Sequence, residues 1–253
     1  MCFYFSNSRR ALELANRYEF VSGRIETFCE VQEAQYKITA FTHPACPVIT
    51  ANDGDNGNGG IGTAKWGLIP AWKKTVEDAE KSRKSCLNAR AETVFELPSF
   101  RSPVLSKRCL IPATGYFEFH HRDKKAIPYY IFLKDEEIFS FGGLYEQWRN
   151  PVTNETERTF AILTVPANNL CSEIHNGGKN PFRMPLIIRR DDESLWIDRS
   201  LKKPEIALFF QSFDANGMDA YPISLDFLKK RSDDASIICQ FPYEPLHRAN
   251  HQG

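Results

Sequence analysis

Between Arg108 and Leu144 the chain carries four strand-like runs with almost nothing between them. They are Arg108–Ile111, Tyr116–His121, Tyr129–Lys134 and Ile138–Leu144, rich in aromatic and branched residues. Two of the breaks are strongly polar, Arg122-Asp123-Lys124-Lys125 and Asp135-Glu136-Glu137. Connections this short turn the chain back on itself, so the runs read as hairpins of an antiparallel sheet. Further strands are expected at Cys46–Thr50, Thr63–Leu68, Thr159–Val165 and Arg183–Ile188. A helix is expected over Ser8–Glu19, capped by Ser8, with Leu12, Ala15 and Tyr18 on one face. Others are expected over Val76–Arg83, Asp191–Ile197 and Pro204–Phe210. Strands joined by short turns, with helices outside them, predict an α+β fold on a curved antiparallel sheet. No repeat or linker divides the chain, so residues 1–253 are expected to form a single domain. The Asn/Asp/Gly tract 51–60 reads as a flexible loop and about 240–253 as a tail.

The composition excludes several classes. No apolar run approaches the ~20 residues of a membrane span, and no basic-then-apolar leader opens the sequence. Seven cysteines without regular spacing argue against a disulfide framework and for a reducing, cytoplasmic setting. No CxxC pair exists and the histidines lack zinc spacing, so no metal or other cofactor is expected. His120 and His121 are strand neighbours and point to opposite faces. Asp53 and Asp55 faintly suggest a calcium loop, but its twelfth position is Ala64 rather than glutamate. Net charge is zero, so any nucleic-acid contact must be local. From Lys73 to Arg108 there are nine Lys/Arg against five Asp/Glu, a basic stretch flanked by Trp66 and Trp72. Cations with aromatics are the mixture that suits a single strand.

Four residues carry the candidate chemistry, Cys2, Asn88, Glu118 and His175, and a fifth, Arg90, a candidate phosphate contact. Loss of Met1 would make Cys2 terminal and place an amine and a thiol on one residue. Such an aminothiol traps aldehydes: the amine forms an imine and the thiol closes a thiazolidine ring. With pKa values near 7.7–8.0 for an α-amine and about 8.5 for a thiol, both are nucleophiles at cellular pH. Glu118 is a lone carboxylate in Gly115-Tyr116-Phe117-Glu118-Phe119. A strand's period of two puts Tyr116 and Glu118 on one face and Phe117 and Phe119 on the other. A carboxylate in apolar surroundings has a raised pKa and suits proton transfer. His175 is the natural acid–base group near neutral pH. Asn88 and Arg90, in Asn88-Ala89-Arg90-Ala91-Glu92, offer an amide and a planar phosphate fork.

The order of these motifs is similar to that of the SOS-response-associated peptidase family, also described as abasic-site processing proteins. The resemblance rests on Met1-Cys2, Trp66-Gly67-Leu68-Ile69-Pro70-Ala71-Trp72 and Asn88-Ala89-Arg90-Ala91-Glu92-Thr93. It continues through Gly115–Phe119, Thr164-Val165-Pro166-Ala167-Asn168, Ile174-His175 and Arg183-Met184-Pro185, covering Cys2 to about Ser224. It implies a compact α+β domain with a β-barrel-like core. It implies a monomer that binds abasic sites in single-stranded DNA and crosslinks to them through Cys2. By the same resemblance Asn88 holds the ring and sugar oxygen, Glu118 shuttles protons and His175 assists sugar opening. Arg90 and, more weakly, Arg183 grip phosphate, while Trp66, Pro70 and Trp72 lie along the DNA.

The chain also departs from the family pattern. Phe3-Tyr4 stands where Gly-Arg is common, which removes a cation. Phe41–Val48 occupies the place of a Tyr-Asn segment. Gly177-Gly178-Lys179 is extra between His175 and Arg183. Two other readings stay open on sequence alone: a thiol peptidase acting through Cys2, and a binding module in which Cys2 is incidental.

Overall fold

The computed structural model describes residues 2–9, 11–18, 20, 33–51, 60–123 and 125–243. Most of the expected 51–60 loop and most of the tail lie outside these residues. In chain order the first half comprises β1 (Tyr4–Asn7), α1 (Ala11–Arg17), β2 (Gln35–Thr39), β3 (Ala45–Thr50), β4 (Gly60–Trp66), α2 (Val76–Ser85), β5 (Asn88–Arg90), α3 (Pro103–Ser106) and β6 (Arg108–Ala113). There follow β7 (Gly115–Arg122), β8 (Lys125–Leu133), β9 (Phe139–Arg149), β10 (Thr156–Pro166), α4 (Asn169–Ile174), β11 (Arg183–Pro185), β12 (Ile187–Ile188), α5 (Glu193–Ile197), α6 (Lys203–Ala207) and β13 (Met218–Pro222). Among the described residues no helix is long and apolar enough to cross a membrane.

Five strands close a ring. β10 pairs with β4, β4 with β3, β3 with β6, β6 with β9, and β9 with β10 again. The expected barrel-like α+β core is therefore present, with one correction: the β4–β10 seam is parallel, Thr159 facing Lys65 and Phe160 facing Trp66. Parallel pairing needs a long crossover and leaves no turn signature in the sequence. A second sheet, β13-β8-β7-β1-β2, is wholly antiparallel and packs beside the barrel.

Strand β7 shows how the period of two works here. Tyr116 enters the main core with Phe5, Phe141 and Ile131. Phe117 and Phe119 face a separate cluster around Tyr130 and Phe227. Two apolar faces leave β7 with buried residues on both sides, and Glu118 shares the Tyr116 side.

Helix boundaries follow local chemistry. The Thr75 hydroxyl accepts from Asp78 N at 3.1 Å, Glu77 and Asp78 sit in the first turn, and Arg83 and Lys84 sit in the last. All four charged residues complement the helix dipole. The Ser8 cap does not form, because Ser8 N and Oγ both reach Thr114 Oγ1 at 3.2 Å and α1 starts only at Ala11. The expected strand Arg183–Ile188 is two strands. Leu186 N donates to Leu163 O and Gly142 N donates to Leu186 O, so the chain steps there from β10 to β9.

Candidate active site

Strand β10 outruns its barrel partners, and this overhang builds the site. Its C-terminal half carries β5 on one edge, with Ile162 facing Asn88 and Thr164 facing Arg90. On the other edge it carries β11, with Pro166 facing Arg183. Asn88, Arg90 and Arg183 are thereby gathered around one strand end.

Cys2 arrives from the second sheet. β1 runs antiparallel to β7 with Phe5 opposite Tyr116. Continuing that register toward the N-terminus brings Phe3 and Cys2 to the level of Glu118. Asn88 Nδ2 donates to the Cys2 carbonyl at 3.0 Å and ties residue 2 to β5. Cys2 is fully buried, and its thiol lies 3.6 Å from the Tyr4 carbonyl. Burial pushes the thiol pKa up, and the nearby Glu118 adds to the shift. The sulfur is therefore a protonated thiol. Asn88 Oδ1 is buried without a hydrogen-bond partner among the described residues.

Glu118 and His175 complete the centre. His175 caps the C-terminus of α4, whose own start is fixed by Asn168 Oδ1 accepting from Cys171 N at 2.9 Å. A carbonyl only accepts, so His175 Nδ1–H donates to Arg183 O at 2.8 Å. That leaves Nε2 as the acceptor, 3.7 Å from Glu118 Oε2. Burial raises the Glu118 pKa to about 8. Burial lowers the His175 pKa to about 4. Desolvation governs both groups, so the pair is a carboxylic acid facing a neutral imidazole rather than an ion pair. Beneath them the Tyr116 hydroxyl lies 3.1 Å from Cys171 Sγ, a contact that no motif or spacing foretells.

A cavity of about 420 Å³ opens over these groups, lined by Asn88, Glu118 and His175, with Phe3, Leu87 and Phe119 among its apolar walls. Among the described residues no cluster of three His, Cys, Asp or Glu side chains could hold a metal.

The remaining expected site residues divide. Arg90 is exposed, and its Nη2 donates to Oδ1 of Asn180, which lines the cavity. Arg183 is committed to the protein: it clamps Glu92 through both Nη atoms, and its Nη2 also donates to Thr164 O at 2.6 Å. Desolvation raises the Glu92 pKa, but this clamp outweighs it and holds the carboxyl below its usual value. Trp66 is a correction. It is fully buried, stacks on Phe160 with ring centroids 5.9 Å apart, and donates its indole N–H to Leu87 O at 2.8 Å. It offers no face to DNA and instead fixes the segment that leads into β5. Pro70 is buried as well. Trp72 stands 56% exposed, with Lys73 Nζ 4.4 Å from its ring centroid.

A five-strand barrel with a second antiparallel sheet beside it is a fold with solved relatives. A crystal structure of a protein from Bacteroides thetaiotaomicron superposes with a TM-score of 0.88 at 43% identity, covering 95% of this chain and 100% of that one. A Bordetella bronchiseptica protein shares the fold alone, with a TM-score of 0.71 at 22% identity over 88% of this chain and 100% of that one. The chain belongs to the SOS response associated peptidase (SRAP) family, whose model matches residues 1–229. It is 38% identical over 195 residues to the abasic site processing protein YoqW of Bacillus subtilis, covering 76% of this chain and 81% of that protein. It is 29% identical over 166 residues to the chicken abasic site processing protein HMCES, covering 58% of this chain and 47% of that protein.

Proposed function

We propose that this protein captures abasic sites in single-stranded DNA, and that Cys2, freed by removal of Met1, closes a thiazolidine on the lesion's aldehyde. The observation that carries this reading is the Asn88 bond to the Cys2 carbonyl, which holds residue 2 beside the Glu118–His175 pair. The names of the related proteins support the substrate class.

The chemistry follows from the protonation states. An abasic sugar is mostly a closed hemiacetal, and opening it requires loss of the C1 hydroxyl proton. The neutral His175 Nε2 is an acceptor suited to that proton; as the bond from C1 to the ring oxygen breaks, the imidazolium returns the proton to that oxygen, leaving the aldehyde, a free hydroxyl and neutral His175. The Cys2 amine then adds to the aldehyde to give a carbinolamine. Glu118, protonated in its apolar setting, donates to the departing hydroxyl, which leaves as water, and an iminium remains. The Glu118 carboxylate next takes the Cys2 thiol proton, sulfur bonds to the iminium carbon, and nitrogen recovers its lone pair. The sum is aldehyde plus aminothiol giving thiazolidine plus water. Asn88 Oδ1 is an acceptor for the amine or for a sugar hydroxyl.

The test is a denaturing gel with an abasic single strand, paired with intact-mass measurement. Met1-processed protein should give a heat-stable adduct of protein plus DNA less one water. Cys2→Ala and a Met1-retaining form should bind the strand without forming it: the first has no thiol to close the ring, and in the second the Cys2 nitrogen is an amide, which cannot condense to an imine. A stable adduct from the Met1-retaining form would refute the aminothiol mechanism. Turnover of peptides without any adduct would favour the peptidase reading instead.

A further inference from the structure

We infer that Lys84 and Lys179 form a phosphate clamp at the mouth of the cavity, holding the DNA backbone beside the lesion. The inference rests on the single-strand reading above and adds the residues that grip the strand. Both lysines line the cavity that contains Asn88, Glu118 and His175. They come from unrelated elements, the last turn of α2 and the Gly177–Asn180 segment after α4.

Two observations mark them out among the surface lysines. First, their charge is not spent within the protein. Lys81, one turn earlier on α2, pairs with Glu77 at 2.7 Å, Lys65 pairs with Glu157 at 3.2 Å, and Lys107 pairs with Glu146. Glu80, placed to serve Lys84 from one turn back, is taken by Arg83 at 3.0 Å. Among the described residues neither Lys84 nor Lys179 meets an acidic side chain. Phe3, on the same cavity wall, brings no charge of its own.

Second, Lys179 is held out by a loop anchored on both sides. Asn176 Oδ1 accepts from His121 N at 2.7 Å, and its Nδ2 donates to His121 O at 3.1 Å. Gly177 packs so closely that a Cβ there would lie 2.6 Å from the His121 ring. Gly178 turns the chain at φ +83° in open space. Asn180 then accepts from Arg90, and Phe182 N donates to His175 O at 2.8 Å. The loop thus presents its lysine from fixed points on β7, β5 and α4. An ammonium has no planar fork, so Lys84 and Lys179 act as point charges on neighbouring phosphates without reading sequence.

The experiment measures binding as a function of salt, using a single strand whose abasic sugar is a tetrahydrofuran analogue that cannot condense. Removing one lysine–phosphate contact should lower the log–log salt slope by about 0.7, so wild-type affinity should fall roughly five-fold more than the variant's over a tenfold rise in salt. Lys84→Ala and Lys179→Ala should each show this decrease, Lys179→Arg should keep the wild-type slope, and Lys81→Ala should be silent. Slopes equal to wild type in both alanine variants would overturn the clamp, as would an equal decrease in Lys81→Ala. Replacing chloride by inorganic phosphate at constant ionic strength probes the same lysines. Displacement of DNA by phosphate beyond chloride is expected of wild type and should be lost in the Lys84→Ala, Lys179→Ala double variant; the same excess displacement in that variant would overturn the strand clamp. Because the analogue forms no adduct, failure of the crosslinking reading leaves this measurement intact.

Discussion

His175 Nε2 lies 3.7 Å from Glu118 Oε2, and each side chain is less than a tenth exposed. Two groups that would ionise in water face one another with both held neutral. Acid and base capacity are therefore stored together without the desolvation cost of a buried ion pair.

Stability should report this pair. Glu118 is raised in the folded state from 4.5 to about 8, so its contribution is fully present below pH 4.5 and is lost as pH rises through 8. His175 is depressed from 6.5 to about 4, so its contribution is present above pH 6.5 and is lost as pH falls through 4. The two slopes oppose each other between 4.5 and 6.5. Above 6.5 the Glu118 slope stands alone, at most about 1.4 kcal/mol per pH unit. Glu118→Gln, a neutral isostere, should match wild type near pH 5 and melt higher near pH 8.5. Equal pH profiles for the two proteins would place the raised pKa elsewhere.

Adduct formation should respond in the opposite sense. Glu118→Gln keeps the fold but cannot pass a proton, and general acid–base catalysis is worth about 10²–10⁴-fold. Single-turnover crosslinking should slow by about that factor, with affinity for the tetrahydrofuran strand unchanged. In wild type the rate should fall as pH rises through 8, and the variant should lose that limb. Unchanged rates would leave Glu118 a structural residue.

Asn88→Ala should weaken the hold on Cys2. One neutral hydrogen bond contributes about 1 kcal/mol net, so crosslinking should slow at least several-fold. The salt slope should not move, because no charge is removed. A variant that crosslinks at the wild-type rate would show that the 3.0 Å contact does not position the nucleophile.

How much of this can be read from the chain depends on whether the signal is local. The alternation in Tyr116–Phe119 puts Glu118 on the Tyr116 face, and Asn88 and His175 line the same cavity, with Arg90 bonded to Asn180 of its wall. The parallel seams of β10 with β4 and β5 are not legible, since they join segments about 75 to 95 residues apart with no turn between them. Trp66 is a different case, because a local signal exists. Thr63 and Lys65 are exposed or half-exposed while Ala64 and Trp66 are buried, the plain alternation of a half-buried strand. The aromatic-plus-basic pattern around it points outward, and only Trp72 lies there. Trp66→Ala should therefore cost about 3–5 kcal/mol of stability as a core truncation. Trp72→Ala should leave the melting temperature alone and weaken single-strand binding by about 1–3 kcal/mol if a base stacks on it. Reversed outcomes would return Trp66 to the surface role that its burial denies.

The two arginines beside β10 should separate by their partners. Arg183 is a positioning residue: its guanidinium is held by Glu92 and Thr164, and its carbonyl fixes the His175 tautomer. Arg183→Ala should lower the melting temperature by a few degrees, as expected for about 1–2 kcal/mol in a chain of this size, and slow crosslinking while the salt slope stays put. Arg90 is exposed and donates to Asn180, at the end of the loop that carries Lys179. Arg90→Ala should lower the salt slope by about 0.7 for its own phosphate and by a further part as the loop loses an anchor. Combined with Lys179→Ala it should then lower the slope by less than the sum of the single changes. Strict additivity would mean that Asn180 does not transmit Arg90's position to Lys179, and a fall in affinity with no change in slope would make Arg90 structural.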